Sequence, residues 1–393
     1  MNAGFPSGNL IASPIVIDPR APATLYAGYL DGTGTGGILK STDRAASWNP
    51  ANAGRSFVDI RVLAMDPVNA DTIYTAAGTD GVFKSVDRGA SWTKLAALQL
   101  SAEWGFSGRA YTRSLLIDFV RPNILYALTA RVDGCHFLDR LLFQSTDGGA
   151  TWSNSVSPPG SGCILLGYVG GALPMVMDPT DSNRLYAGGD FDGDYALLKS
   201  TDAGASWSNR LGWGCCVGNA LAIDPTNPAI LYGGTPSGVS KSTDGAATWR
   251  DTGLSIGVNV LALDPARPSI LYAATGGFGS SGFAGLFKST DSGASWLPIN
   301  NGLASLIDTR SPVTALLIDP ANSNVLYAGT SGYGVFRSTN GGATWSLFND
   351  GLTNLHVRVL AISKGGSKTL YAGTSGGVFQ IGVGTPRPPR ARP

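Results

Sequence analysis

One glutamate, two histidines and four methionines are all that the 393 residues hold of these types. Charged side chains make up only 14%, and 28 Lys+Arg against 27 Asp+Glu leave a net charge of +1. So neutral a chain lacks the basic excess that phosphate backbones and anionic membranes select, which argues against a nucleic-acid partner. No apolar run is long enough to span a bilayer. The first ten residues, MNAGFPSGNL, have no basic n-region and no apolar core, so no signal peptide is visible there. No segment carries a sustained helical period between caps, which leaves little room for helix.

What the chain does have is glycine, 54 residues of it, and a box that returns seven times. The copies start at Ser41, Ser85, Ser145, Ser200, Ser242, Ser289 and Ser338, and follow the pattern S-x-D-x-G-x-[ST]-W with small variations. Ahead of each box come an apolar run ending in Asp-Pro or a variant, a short turn, a motif like LYAG, a Gly-rich turn, and a run such as GVFKS. These runs are short, β-branched or aromatic, and bounded by turn residues, so they read as strands. Four strands in a unit of roughly 40–60 residues make a propeller blade.

Within the box the aspartate is best explained as a turn residue. Its carboxylate accepts bonds from backbone N–H groups two or three residues on, and Gly follows where positive φ is needed. The tryptophan then buries apolar surface between neighbouring sheets. Asp43, Asp87, Asp147, Asp202, Asp244 and Asp291 are therefore read as structural, because equivalent turns cannot all be one active site.

The box resembles the Asp-box, or BNR, repeat of sialidases, xyloglucan-cleaving glycoside hydrolases, sortilin-type receptors and a photosystem assembly factor. The resemblance covers nearly the whole chain. It implies an all-β propeller of four-stranded blades and leaves the activity open, since that superfamily mixes hydrolases with binding proteins. The sialidase signature is missing: there is no R-I-P near the N-terminus and no evident arginine triad. The xyloglucanase pattern, a catalytic Asp in each of two propellers, finds no residue-by-residue match. The photosystem factor's family carries a basic patch, and this chain shows no obvious one.

Eight sets of the first three strands are present, but only seven fourth strands, because the last unit (from Val359) has no box. Eight blades are expected, with residues near Phe5–Ile11 supplying the missing outer strand, in a single domain over 1–382. Seven blades with a left-over unit, or a piece of a larger two-propeller protein, are the alternatives. Residues 383–393, rich in Pro and Arg, are expected to be a disordered tail.

Function is sought where the chain departs from its repeat. Successive boxes start 44, 60, 55, 42, 47 and 49 residues apart, so the excess falls around blades 3 and 4. It is carried by 95–113, 130–140, 157–173 and 190–195, with a further irregular segment at 211–219. By topology all five lie on the face opposite the box turns. The rare residues collect there too: the lone glutamate Glu103, the two non-box tryptophans Trp104 and Trp213, His136, and all four cysteines. Loops on a rigid scaffold are where function concentrates.

Four chemistries are open on that face. Trp104, Tyr111, Tyr168, Tyr195 and Trp213 offer flat surfaces, and Arg109, Arg113, His136 and Asp192 offer hydrogen bonds, for a carbohydrate or protein ligand. The plain alternative is that long loops need aromatic residues to pack. Glycoside hydrolysis needs two carboxyl groups, and Glu103 as acid/base with Asp59, Asp133 or Asp192 is conceivable; a solvated loop glutamate is the simpler reading. Asp190, Asp192 and Asp194 alternate in a Gly-containing stretch that suits Ca²⁺, though no Glu closes it. Cys135, Cys163, Cys215 and Cys216 suggest two disulfides, Cys135 with Cys163 as one pairing, or a thiolate site with His136. Disulfides would place the protein in a secreted or periplasmic setting. Asp59, Arg61, Asp308 and Arg310 precede innermost strands and would ring the channel mouth, though paired ions capping strand ends are the simpler reading. The expectation is a monomeric, extracytoplasmic recognition propeller with no required cofactor, and a glycoside hydrolase on the same face as the alternative.

Overall fold

A computed structural model describes residues 4, 11–31, 35–52, 57–58, 60–77, 81–96, 98, 109–132, 140–156, 175–191, 194–212, 220–235, 237–275, 285–309, 311–363 and 369–382. They form an eight-bladed β-propeller. Each blade is an antiparallel meander in chain order, and the eight innermost strands pack side by side around the ring. Val357–Ile362 of blade 8 lies against Ile11–Ile17 of blade 1, which closes it. Blade 8 has three strands among the described residues, Val357–Ile362, Thr369–Thr374 and Gly377–Gly382. Of the segment expected to complete it, Phe5–Leu10 lie outside the described residues, and Ile11 pairs with Leu30 in blade 1. The tail 383–393 also lies outside. One short helix, Ala304–Thr309, interrupts the all-β pattern between blades 6 and 7, where Leu303 and Leu306 turn inward and are fully buried.

Period-2 alternation on short strands explains the sheets, and the turn residues explain why they stop. The apolar runs end at an aspartate buried at 7% exposure or less in blades 1 to 7: Asp18, Asp66, Asp118, Asp178, Asp224, Asp264 and Asp319. Each accepts the backbone N–H two residues on, as in Arg20 N to Asp18 Oδ1 (2.8 Å) and Val120 N to Asp118 Oδ1 (2.8 Å). This closes the first hairpin and satisfies a charge that could not otherwise be buried.

The boxes close the third turn of blades 1 to 7 in the expected way, with one detail the sequence did not disclose. The serine hydroxyl works in both directions. Ser145 Oγ donates to Asp147 Oδ1 (2.8 Å) and accepts from Gly149 N (2.8 Å), while Asp147 Oδ1 also accepts Thr151 N (2.9 Å). The fourth residue of the box takes positive φ, whether it is glycine (Gly148, 70°) or not (Arg88, 59°; Ala203, 58°; Ser292, 60°). Some of the tryptophans reach back to the preceding blade, Trp345 Nε1 donating to Ile299 O (2.8 Å) and Trp296 Nε1 to Thr252 Oγ1 (3.0 Å), whereas Trp207 Nε1 donates to Gly204 O of its own box (3.1 Å).

These bonds have a pH signature. The side-chain hydroxyl of Ser47, then its backbone N–H and the Ser41 hydroxyl, hold Asp43 down at about 2; Thr151 and Ser145 do the same for Asp147. Asp202, Asp244 and Asp291 are held at about 2 as well, and Asp87 is lowered. A carboxyl group whose folded pKa is depressed adds stability above its unfolded value, and that stability is lost as pH falls through the folded value. The box carboxylates face solvent, so each contributes little alone, but six lose their contribution in one window. The urea midpoint is expected to hold steady from about pH 7 to 5 as far as these groups go, then to fall steeply between about pH 4 and 2. An Asp43→Asn/Asp147→Asn double variant should fall less steeply, and equal slopes would refute the assignment.

Candidate functional site

The two ends of the ring differ in kind. At the box end, hydrogen-bonding capacity is consumed locally and between blades. In six successive junctions the carbonyl of the fourth box residue accepts from the repeat's tyrosine, its lysine (glutamine in blade 3) or both, from the blade before. Lys40 Nζ and Tyr26 Oη donate to Arg88 O (2.9 and 3.0 Å), Lys241 Nζ and Tyr232 Oη to Ser292 O (2.8 and 3.2 Å), and Lys288 Nζ and Tyr272 Oη to Gly341 O (2.8 and 3.3 Å). Burial pushes the Tyr26, Tyr74, Tyr126, Tyr186 and Tyr272 hydroxyls up to about 12. The box aspartates themselves are bonded within their own turns, Asp43 to Ser41 and Ser47 and Asp147 to Ser145 and Thr151.

At the opposite end, blades 3 and 4 outgrow the rest. The second strands of blades 2, 5, 6 and 7 stop at the fifth residue of the LYAG-type motif: Ala77, Thr235, Thr275 and Thr330. In blade 3 the same strand continues to Val132, and in blade 4 to Phe191. The outer strands lengthen with them, to Ser153–Val156 and Ser208–Gly212, where blades 1, 2, 5, 6 and 7 have two residues. Segments expected to be irregular loops are thus partly continued ladder: Arg109–Arg113, Ala130–Val132 and Arg140 in blade 3, and most of 190–195 in blade 4. The two blades are neighbours in the ring.

The ladder places several of the expected site residues. In blade 3, Arg109 pairs with Val132 and Tyr111 with Ala130, which pairs in turn with Arg140. Arg113 falls at a register shift between Thr112 and Ser114. In blade 4, Tyr195 pairs with Asp190, and Asp194 with Phe191 on the next rung, so the two aspartates of the expected Ca²⁺ stretch occupy adjacent rungs rather than one. Arg131, opposite Ala110, and Arg140 escaped the sequence reading. The signal that would have found them is the length of the hairpin, which no local motif sets. Blade 3's extension therefore carries four arginine positions (109, 113, 131 and 140), and that of the neighbouring blade 4 carries the aspartate positions 190 and 194.

Glu103, Trp104, Asp59, His136, Tyr168, Asp192, Trp213, Cys135, Cys163, Cys215 and Cys216 lie outside the described residues, as do Asp133 and Arg310. Among the described residues, no group of three or more His, Cys, Asp or Glu is gathered as a metal ion would require, and no helix is long and apolar enough to cross a membrane.

No family model matches the chain. Among curated proteins it is similar to the xyloglucanase Xgh74A of Acetivibrio thermocellus, 38% identical over 95 residues, which is 20% of this chain and 11% of that protein. It is also similar to a probable oligoxyloglucan-reducing end-specific xyloglucanase of Neosartorya fischeri, 30% identical over 145 residues, 35% of this chain and 17% of that one. The chain thus matches well under a fifth of the length of either relative. Among solved structures it resembles an ancestral GH74 enzyme (TM-score 0.54, 15% identity, 98% of this chain and 61% of that one). It also resembles YCF48 bound to D1 peptide (TM-score 0.51, 13% identity, 83% and 93%). At such identities the likeness is one of fold: the chain is a β-propeller of the architecture shared by these proteins.

Proposed function

We propose that the protein is an extracytoplasmic recognition propeller that binds a carbohydrate chain across the extended ends of blades 3 and 4. The observation that carries this is the paired lengthening of two neighbouring blades on one face, away from the committed box end. A ring that needed only stability would have no use for it. The two extensions carry arginine positions on blade 3 and aspartate positions on blade 4, and the aromatic positions 111 and 195 belong to their ladders. Sugar hydroxyls are met by such planar hydrogen-bonding groups, and sugar faces by aromatic rings. Trp104 and Trp213, in the segments flanking these blades, are assigned to the stacking platform. Disulfides among Cys135, Cys163, Cys215 and Cys216 would brace the segments around it in an oxidising compartment.

The second reading is a glycoside hydrolase with Glu103 as acid/base and Asp59 as its partner. What favours it is the local sequence similarity to two xyloglucanases, and a β-1,4-glucan carrying side chains is the polysaccharide class to try first. One experiment separates the two. A panel of polysaccharides is assayed for retention and for reducing-end release, with wild type beside Glu103→Gln and Trp104→Ala. Retention without release, weakened at least about tenfold by Trp104→Ala and untouched by Glu103→Gln, is the expected result. Release that Glu103→Gln abolishes would replace recognition by hydrolysis, and a panel without retention or release would overturn both.

A further inference from the structure

Two Asn-Gly dipeptides occur in the chain, Asn301-Gly302 and Asn340-Gly341. In this dipeptide a main-chain nitrogen readily attacks the asparagine side chain, because glycine has no Cβ in the way of the approach. The attack needs a carboxamide free to turn and an amide N–H not held elsewhere. The fold gives the two dipeptides opposite settings.

Asn340 stands in the seventh box, at the position where the other six boxes have aspartate. Its side chain is held at both ends. Oδ1 accepts from Ser338 Oγ (2.9 Å) and Thr344 N (2.9 Å), and Nδ2 donates to Thr344 Oγ1 (2.9 Å). Gly341 is buried, and its N–H donates to Asn324 O (2.8 Å). Both reacting groups are thus engaged, and each hydrogen bond raises the barrier to bringing them together.

Asn301 lies between the outer strand of blade 6, which ends at Pro298, and the helix Ala304–Thr309. Its neighbour Asn300 is tied into the fold: Oδ1 accepts Leu286 N (2.8 Å) and its carbonyl accepts Leu303 N (2.9 Å). Asn301 and Gly302 are both exposed. The Asn301 carbonyl accepts Trp345 N of blade 7 (2.8 Å). Among the described residues nothing bonds the Asn301 carboxamide or the Gly302 N–H.

We propose that Asn301 is a self-modification site, where the chain converts its own asparagine to aspartate and isoaspartate and so loosens the junction of blades 6 and 7, and that the seventh box shields Asn340 from the same reaction. Gly302 N gives up its proton to solvent and bonds to Asn301 Cγ, and the carboxamide nitrogen takes up a proton and leaves as ammonia. Water then opens the cyclic imide at either carbonyl. One opening restores the main chain with an aspartate side chain. The other leaves isoaspartate, whose main chain is one carbon longer.

That extra carbon falls at a tight place. In isoaspartate the carbonyl that met Trp345 N becomes part of a free carboxylate, and the main chain runs through the former side chain. Gly302, φ 93°, packs so closely that a Cβ on it would run into the Trp345 carbonyl oxygen. Trp345 belongs to the cluster that joins blades 6 and 7, with Tyr272, Leu303 and Leu306. The site is separate from the candidate face on blades 3 and 4.

The test holds the full chain at mildly alkaline pH and follows its peptides by mass, with an isoaspartate-specific methyltransferase as a second probe. While the chain is folded, the peptide with Asn301 is expected to gain about 1 Da at least about tenfold faster than the peptide with Asn340, which reacts only from locally opened states. In urea the two should react within about twofold of each other, because the shielding belongs to the folded state. Thr344→Val removes the acceptor of Asn340 Nδ2, and should speed Asn340 at least about threefold while leaving Asn301 unchanged. Amide hydrogen exchange at Trp345 should quicken in the incubated wild type and stay slow in incubated Asn301→Ser. An intact Asn301, equal rates in the folded chain, or a difference that persists in urea would overturn the proposal. Thr344→Val speeding both sites alike would assign the shielding to global stability and overturn the role of the box. Isoaspartate at 301 with unchanged exchange at Trp345 would overturn the loosening of the junction.

Discussion

Replacing Tyr272 by alanine is expected to destabilise the protein by about 4 kcal/mol, the usual scale for deleting a fully buried aromatic ring. The ring is 0% exposed and belongs to the cluster that holds blade 6 to blade 7, with Leu286, Leu306, Leu326, Phe336 and Trp345. Its hydroxyl and Lys288 Nζ share one acceptor, Gly341 O, and the ammonium stands 5.4 Å over the ring centroid. Burial lowers the Lys288 pKa and raises that of Tyr272 to about 12. Tyr272→Phe keeps the packing and loses one bond, so about 1 kcal/mol is expected. Because both donors serve one carbonyl, Tyr272→Phe and Lys288→Met should not add: the double variant in urea unfolding should differ from the sum by at least about 0.5 kcal/mol. Strict additivity would mean the clamp is two separate contacts.

The second large effect is expected at Asp264. Its carboxylate is wholly buried and accepts four bonds: Ala266 N (3.0 Å), Arg267 N (3.2 Å), Arg267 Nε (3.0 Å) and Ser323 Oγ (2.7 Å). The serine belongs to blade 7, so the same side chain closes a hairpin and ties two blades. Asp264→Ala strands two backbone donors and a guanidinium at once, and about 3 kcal/mol is expected, with a fall in urea midpoint and m unchanged. Asp264→Asn retains one acceptor and should cost about half as much. A loss within about 0.5 kcal/mol for the alanine variant would mean that water takes over these donors.

Both predictions concern residues that the sequence shows and whose partners it hides. The box was legible because its chemistry closes on itself: each bond among Ser145, Asp147, Gly149 and Thr151 spans no more than four residues. The Asp-Pro turns are equally local, with acceptor and donor two or three residues apart. Eight blades could be counted for the same reason, since each needs only its own hairpins to declare itself. The candidate face was legible in outline: the long box spacings flagged blades 3 and 4, and Arg109, Tyr111 and Tyr195 do stand on their extensions. What it offered as loop at 190–195 is mostly ladder, and Arg131 and Arg140 went unnoticed, because where a hairpin stops depends on pairing across strands rather than on any motif along one.

The sequence by itself determined the repeating unit, its turns and the number of blades, because those rest on contacts within a few residues. Only the tertiary structure decided the rest: that tyrosine and lysine of one blade hold the turn of the next, dozens of residues away, and that two neighbouring blades grow together on one face. Those features belong to the ring. Its closure fixes which strand ends face each other, and no segment of the chain contains that information alone.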